Sequence, residues 1–181
     1  QLSEQKITFA TADKLTDAEK SWQPGSTCLV TYAGQQMTTG AQAECYGRYY
    51  IAEHMHASGV SAGFEGATYA TLGTIRTDLN NQITAAKNSG NTTLAADLQK
   101  KYDAATSLRS TLQSGETLKG LLLTVYGFSV IADIAALAVN LLYLLAGLLG
   151  LVALAGFAHA FMTPEDEVVF GGRRTPAPVS A

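Results

Sequence analysis

The chain has 181 residues, a formal net charge of −3 and 47% hydrophobic residues. So small a net charge does not indicate a nucleic-acid partner, and the length suits one modest soluble domain with a membrane segment. The apolar residues are spread unevenly, because they concentrate between Leu118 and Met162. The composition therefore predicts a mixed N-terminal part followed by an apolar C-terminal part.

The first residue and the two cysteines both indicate export. The chain begins with Gln1 rather than Met, as expected after removal of a secretory signal peptide. Cys28 and Cys45 are the only cysteines, and such a pair in an exported chain predicts a disulfide bond. Because disulfides persist in oxidising compartments, the N-terminal part is expected to be extracytoplasmic.

Residues 1–66 form a mixed segment around the two cysteines. Gln1–Ala12 has the residues of a short strand, and Thr27–Ala33 has those of a strand or of an extended run that leaves Cys28. The predicted disulfide would then join an extended segment to a helix that carries Cys45.

Two helices are predicted within the same segment. Thr16, followed three residues later by Glu19, is typical of a capping box, and Pro24 marks the end of that helix. Ala41–His56 is predicted to be the second helix, with aromatic residues on one side and charged residues on the other. The Gly-rich stretch Ser58–Gly66 breaks this pattern.

Residues 67–114 are predicted to form an antiparallel helical hairpin. Apolar residues recur every three or four positions in both halves, namely Leu72, Ile75, Leu79 and Ile83, then Leu94, Leu98, Tyr102 (or Lys101), Ala105, Leu108 and Leu112. The polar turn Asn88–Asn91 joins the two helices. Thr92 or Thr93 is expected to cap the second helix, and Ser114-Gly115 is expected to interrupt it.

The apolar run from Leu118 to Met162 decides the topology. About 45 helical residues extend roughly 67 Å, which is too long for one bilayer of about 30 Å. The run is therefore one span with an extension or a two-span hairpin. A hairpin needs a turn near Asp133–Asn140, but that stretch lacks Gly and Pro. Arg173 and Arg174 favour a cytoplasmic C-terminus, and only one span then leaves the cysteines outside.

One span is therefore favoured, and it sets the remaining boundaries. Residues 115–134 are predicted to be a surface or juxtamembrane helix capped at Thr117, residues 135–162 the transmembrane helix, and residues 163–181 a cytoplasmic tail. The predicted fold class is mainly α, with a disulfide-bonded extracytoplasmic helical domain, a helical hairpin and one long C-terminal transmembrane helix. The expected location is a bacterial cell membrane, crossed once.

Small residues within the predicted span suggest contacts with other helices. Gly147, Gly150 and Gly156 would let a neighbouring backbone approach closely, although Gly and Ala are also simply common in membrane helices. The expected partners are the lipid bilayer and other integral membrane subunits.

One short stretch, Glu53-His54-Met55-His56, offers with nearby Cys45 the ligand types that bind copper or zinc, although Cys45 is better used in the disulfide. In a helix, His54 and His56 would lie about 200° apart and could not chelate one ion together. The simpler interpretation is a pair of polar residues near a helix C-terminus, where histidine is favourable. We find no nucleophile motif and no phosphate-binding loop, so neither catalytic residues nor a cofactor are expected.

The layout resembles the small accessory subunits of the actinobacterial cytochrome bcc–aa3 respiratory supercomplex. The resemblance lies in the processed start, the Cys28 and Cys45 pair, the helical domain and the single Ala/Leu/Gly span followed by Arg173-Arg174. It implies a non-catalytic subunit that binds no haem or copper and that stabilises or positions other subunits.

Two alternatives to an accessory subunit remain open. The first is an extracytoplasmic metal-handling protein that passes copper through His54, Met55 and His56. The second is a stand-alone envelope receptor whose Arg173-Arg174 tail signals inside the cell.

Overall fold

The computed structural model describes residues 2–162, so the predicted cytoplasmic tail, residues 163–181, lies outside the described residues. In chain order the elements are a 3₁₀ turn (Ser3–Gln5), α1 (Asp17–Ser21), α2 (Cys28–Thr31), α3 (Gly40–Cys45), a π-helical segment (Tyr46–Ile51), α4 (Ala52–Ser61), α5 (Tyr69–Asn88) and α6 (Thr92–Met162). The chain divides into two units, Gln1–Ile131 and Ala132–Ala181. The mainly α fold, with a disulfide-bonded helical N-terminal region and a long apolar C-terminal helix, is confirmed.

The two predicted strands are wrong. Within residues 2–12, pairing is limited to an isolated antiparallel bridge between Thr8 and Gln36. The stretch Thr27–Ala33 contains helix α2 instead, and this single turn buries Leu29 completely. Strand propensity depends on neighbouring strands that bury one face, and the described residues provide none.

The predicted capping signal at the start of α1 is confirmed. The Thr16 hydroxyl accepts a hydrogen bond from the Glu19 backbone N–H, and the Glu19 carboxylate accepts one from the Thr16 N–H. Helix α1 ends at Ser21, before Pro24. Thr39 and Thr68 cap α3 and α5 in the same way. Each box satisfies backbone donors that the helix leaves unpaired and fixes where that helix begins.

The predicted disulfide between Cys28 and Cys45 is also confirmed, with a Cα–Cα distance of 6.1 Å. It joins α2 to the end of α3, within a core that contains Phe9, Leu15, Leu29, Met37, Ala43 and Leu122. A cross-link of this loop size typically stabilises a small domain by about 2–4 kcal/mol.

Helices α5 and α6 share a second core, in the register that the apolar spacing predicts. Its buried members include Leu72, Leu79, Ile83, Leu98, Ala105, Leu108 and Leu112. Leu94 is an exception, because it is 47% exposed and Ala95 is buried in its place. The cap also differs from the prediction, since the Asn91 side chain, rather than Thr92 or Thr93, accepts a hydrogen bond from the Leu94 N–H.

The predicted interruption at Ser114-Gly115 is wrong, because α6 continues through it. A side chain at position 115 would meet the Met55 Sδ atom at 2.5 Å, so Gly115 allows Met55 to pack against the helix. Thr117 does not cap a new helix either. Its hydroxyl donates to the Gln113 carbonyl within α6 at 2.8 Å.

Two further glycines bring α3 and the π-helical segment close to α6. A Cβ added to Gly40 would overlap the Ser129 side chain and lie 3.4 Å from the Tyr126 Cα. A Cβ on Gly47 would contact Leu122 at 3.5 Å. Because Gly40 and Gly47 have no side chain, these backbones can approach α6 closely.

The second unit, as far as Met162, is described by the C-terminal part of α6. No turn occurs at Asp133–Asn140, where the two-span alternative requires one. Every residue from Ala132 to Met162 is exposed. Among the residues that the structure describes, α6 is the one helix long and apolar enough to cross a membrane. These features are compatible with a single-pass membrane protein.

We predict that Gly40→Ala destabilises the N-terminal unit by about 1–3 kcal/mol, because the new methyl group must displace Ser129. Gly127→Ala on α6 is the matched control. A Cβ there meets nothing within 4 Å, and Ala favours a helix by up to about 1 kcal/mol over Gly. Thermal unfolding in mild detergent, followed by near-ultraviolet circular dichroism, measures both changes. Equal effects of the two substitutions would contradict the close packing at Gly40.

Candidate functional sites: a buried carboxylate cluster and an exposed apolar helix

A row of rings runs along the π-helical segment into α4. The ring centroids of Tyr46 and Tyr50 lie 4.6 Å apart, and those of Tyr50 and His54 lie 4.3 Å apart. Phe9 extends the row, because its ring packs edge-on against Tyr46 with the two ring centroids 5.3 Å apart. Because π-helical turns are frequent at functional sites, the groups beside this row are candidates for such a site.

The ring of His54 ends this row against the carboxylate of Glu19. The His54 Nε2 and Glu19 Oε1 atoms are 2.9 Å apart. The other Glu19 oxygen accepts the Thr16 N–H at 2.6 Å, so the capping box holds this side chain in place. Burial alone would raise the pKa of Glu19, but hydrogen bonds from Thr16 and His54 and the charge of His54 outweigh it and lower the pKa.

Glu53 completes a cluster with Glu19 and His54. One potential ligand atom from each of these three residues lies within 4.8 Å of the other two. Glu19 is 5% exposed and Glu53 is 7% exposed, whereas the His54 side chain is 52% exposed. The site is therefore two buried carboxylates behind one accessible imidazole.

Of the metal ligands considered from the sequence, the structure brings together Glu53 and His54 but not Met55 or His56. His54 faces Glu19, whereas His56 lies beside Trp22, with ring centroids 6.0 Å apart. Met55 belongs to the core shared by α5 and α6. The side chains of His54, Met55 and His56 thus have three different environments.

Sequence reasoning named Glu53 beside His54 but missed Glu19 as their partner. It identified Glu19 by its capping role, which explains only one of its oxygens. It placed Glu53 on a charged helix face, whereas the structure buries it. No local pattern links positions 19 and 53, because α1 and α4 meet only through the tertiary fold.

The second candidate site is a groove on the exposed apolar part of α6. Its lining residues recur at helical spacing and are Asn140, Tyr143, Leu144, Gly147, Leu148 and Leu151. Nothing lies within 4 Å of a Cβ placed on Gly147, Gly150 or Gly156. At 3.6 residues per turn, however, Gly156 lies about 180° around the helix from Gly147. The three predicted docking glycines therefore do not share one face.

We predict that Tyr46 resists ionisation at high pH. Burial, followed by the charges of Tyr50 and Glu19, raises the pKa of Tyr46 from 10.0 to about 12. Because the fold favours the neutral phenol, its stabilising effect is complete below pH 10 and is lost as the pH rises through 12.

Unfolding measured between neutral pH and pH 12 tests this expectation. Tyr46→Phe should lose less stability over the alkaline range than the parent chain, because its ring packs without an ionisable group. Tyr69→Phe, at an exposed position on α5, is the control. Identical alkaline profiles for the parent and Tyr46→Phe would contradict the raised pKa.

Comparisons with models of known protein families, with curated proteins and with solved structures find no match to this chain.

Proposed function

We propose that this protein is a non-catalytic accessory subunit of a membrane complex, anchored by a single transmembrane helix. The complex that we expect is a respiratory oxidoreductase supercomplex, in which this chain stabilises or positions other subunits. The observation that carries the proposal is the long apolar helix surface that the fold leaves uncovered.

The exposed side chains of the second unit support a membrane location. Leu142, Leu148 and Leu154 are each at least 60% exposed, as are many of their neighbours. Soluble monomers rarely expose a continuous apolar surface of this extent, because its contact with water is unfavourable. Residues 135–162 would extend about 42 Å as a helix, which is enough to cross a hydrocarbon core of about 30 Å.

The groove at Gly147 supports a helical partner within the membrane. Asn140 lines the same groove, and an amide in lipid is favourable only when another group satisfies its hydrogen bonds. Gly147 would let a second helix approach closely enough to do so. The proposed docking face includes Gly147 but not Gly156, because Gly156 lies on the opposite side of the helix.

The disulfide supports an extracytoplasmic location for the N-terminal unit. A bond between Cys28 and Cys45 persists in an oxidising compartment, and Cys45 is only 3% exposed. The pair Arg173-Arg174, beyond the described residues, favours a cytoplasmic C-terminus. The respiratory assignment rests on the architectural resemblance to supercomplex accessory subunits.

Purification from native membranes tests the proposal. The chain, carrying a C-terminal tag, is extracted in mild detergent, and its partners are identified by mass spectrometry and a visible spectrum. We expect oxidase subunits and haem absorption bands in the eluate. A colourless eluate that contains this chain alone would overturn the accessory-subunit proposal and favour the stand-alone receptor.

A pair of substitutions tests the docking face. We predict that Gly147→Leu reduces co-purification of partner subunits at least about tenfold, because a leucine side chain fills the groove. A loss of about 1.4 kcal/mol in binding free energy suffices for a tenfold change. Gly156→Leu adds the same side chain on the opposite face and should leave the yield of partners unchanged. Both variants keep an apolar helix, so membrane extraction measures insertion separately. Equal losses from both variants would contradict a docking face at Gly147.

A further inference from the structure

We propose that Glu19, Glu53 and His54 form a binding site for one divalent metal ion, Zn²⁺ or an ion of similar ligand preference. This inference is independent of the accessory-subunit proposal. It also differs from the copper hypothesis drawn from the sequence, because it uses neither Met55 nor His56.

The first argument is the unbalanced charge of Glu53. This side chain is 7% exposed, and no hydrogen bond or ion pair to it occurs within residues 2–162. The carboxylate oxygens keep some contact with solvent, but most of the side chain is enclosed, so the negative charge is only partly hydrated. Glu19 lies beside it and is also buried, so the two negative charges repel each other. A bound cation would balance both.

The second argument is the geometry of the ligand atoms. Ligands on one tetrahedral zinc ion lie about 3.3 Å apart, since each bond is about 2.0–2.2 Å. The His54 Nε2 and Glu19 Oε1 atoms are already 2.9 Å apart. One ligand atom from each of Glu19, Glu53 and His54 lies within 4.8 Å of the other two. The three ligand atoms are therefore close to the separation that a single ion requires.

The third argument is the support behind the ligands. Glu19 Oε2 accepts the Thr16 N–H, which leaves Oε1 directed toward His54. Such second contacts orient ligands and increase metal affinity. The half-exposed His54 side chain also leaves a path from solvent to the buried carboxylates.

The donor set selects the class of ion. Two carboxylate oxygens and one imidazole nitrogen suit Zn²⁺ and similar divalent ions. Cu⁺ favours sulfur ligands, and the Met55 sulfur is committed to the core beside Gly115. Ca²⁺ requires six to eight oxygen ligands, and Mg²⁺ also favours oxygen. The bound ion would join α1 to α4, as the disulfide joins α2 to α3.

The test uses the full chain in mild detergent, with its tag removed and metal extracted by a chelator. Zn²⁺ alone is titrated by calorimetry, and the melting temperature is followed with Zn²⁺ or Mg²⁺ present. We expect one Zn²⁺ per chain and a higher melting temperature with Zn²⁺ but not with Mg²⁺, because a ligand that binds only the folded state stabilises it.

The substitution Glu53→Gln distinguishes a metal-ligand role of Glu53 from a purely structural role. It should weaken Zn²⁺ binding at least about tenfold, since loss of a supporting contact alone often has that effect. Without metal it should unfold at the same or a higher temperature than the parent, because a buried charge has been removed. His54→Gln, at an accessible position, should also abolish the Zn²⁺-dependent shift and serves if Glu53→Gln does not fold.

Glu65→Gln and His56→Gln are the matched controls, because these residues lie outside the cluster and Glu65 is exposed. Both should bind Zn²⁺ as the parent does. Absence of one-to-one Zn²⁺ binding by the parent would overturn the proposal. Binding that survives Glu53→Gln and His54→Gln but is lost in His56→Gln would also overturn it.

Discussion

The packing of the helical stretch from α3 to α4 against α6 is the contact on which the rest of the N-terminal unit depends. This stretch contributes to both cores, through Ala43 and Cys45 to one and through Met55 to the other. Helix α6 also contributes to both, since Leu122 belongs to the first core and Leu112 to the second. The two cores therefore share two continuous helical segments, and glycines at the contacts let the backbones approach.

The π-helical segment has a consequence for chemistry as well as for packing. It lies between the part of this stretch that is fixed by the disulfide and the part that carries Glu53 and His54. Two neighbouring residues on α4 make different contacts, because His54 contacts Glu19 while Met55 packs on Gly115. A fixed register is required for both contacts, and the disulfide and the glycines supply it.

Much of the fold could be predicted where the signal was local. Capping at Thr16, the apolar repeat of α5 and the pairing of the only two cysteines depend on neighbouring residues or on composition. The errors arose where a local signal has two meanings. Gly115 can end a helix or admit a neighbouring side chain, and only the position of Met55 decides between them. The carboxylate cluster could be predicted only in part, because Glu53 and His54 are neighbours in sequence whereas Glu19 joins them through contacts between distant parts of the chain.

The two candidate sites have a common physical feature, since each is a place where the isolated chain leaves a group in an unfavourable environment. Glu53 is a charge with little access to solvent, and the C-terminal part of α6 is an apolar surface without cover. Folding alone removes neither cost, whereas a cation would balance the first and lipid with a partner helix would cover the second. The chemistry of each deficiency is thus the basis of our two proposals, a positive ion for the N-terminal unit and lipid with a partner helix for the C-terminal part of α6.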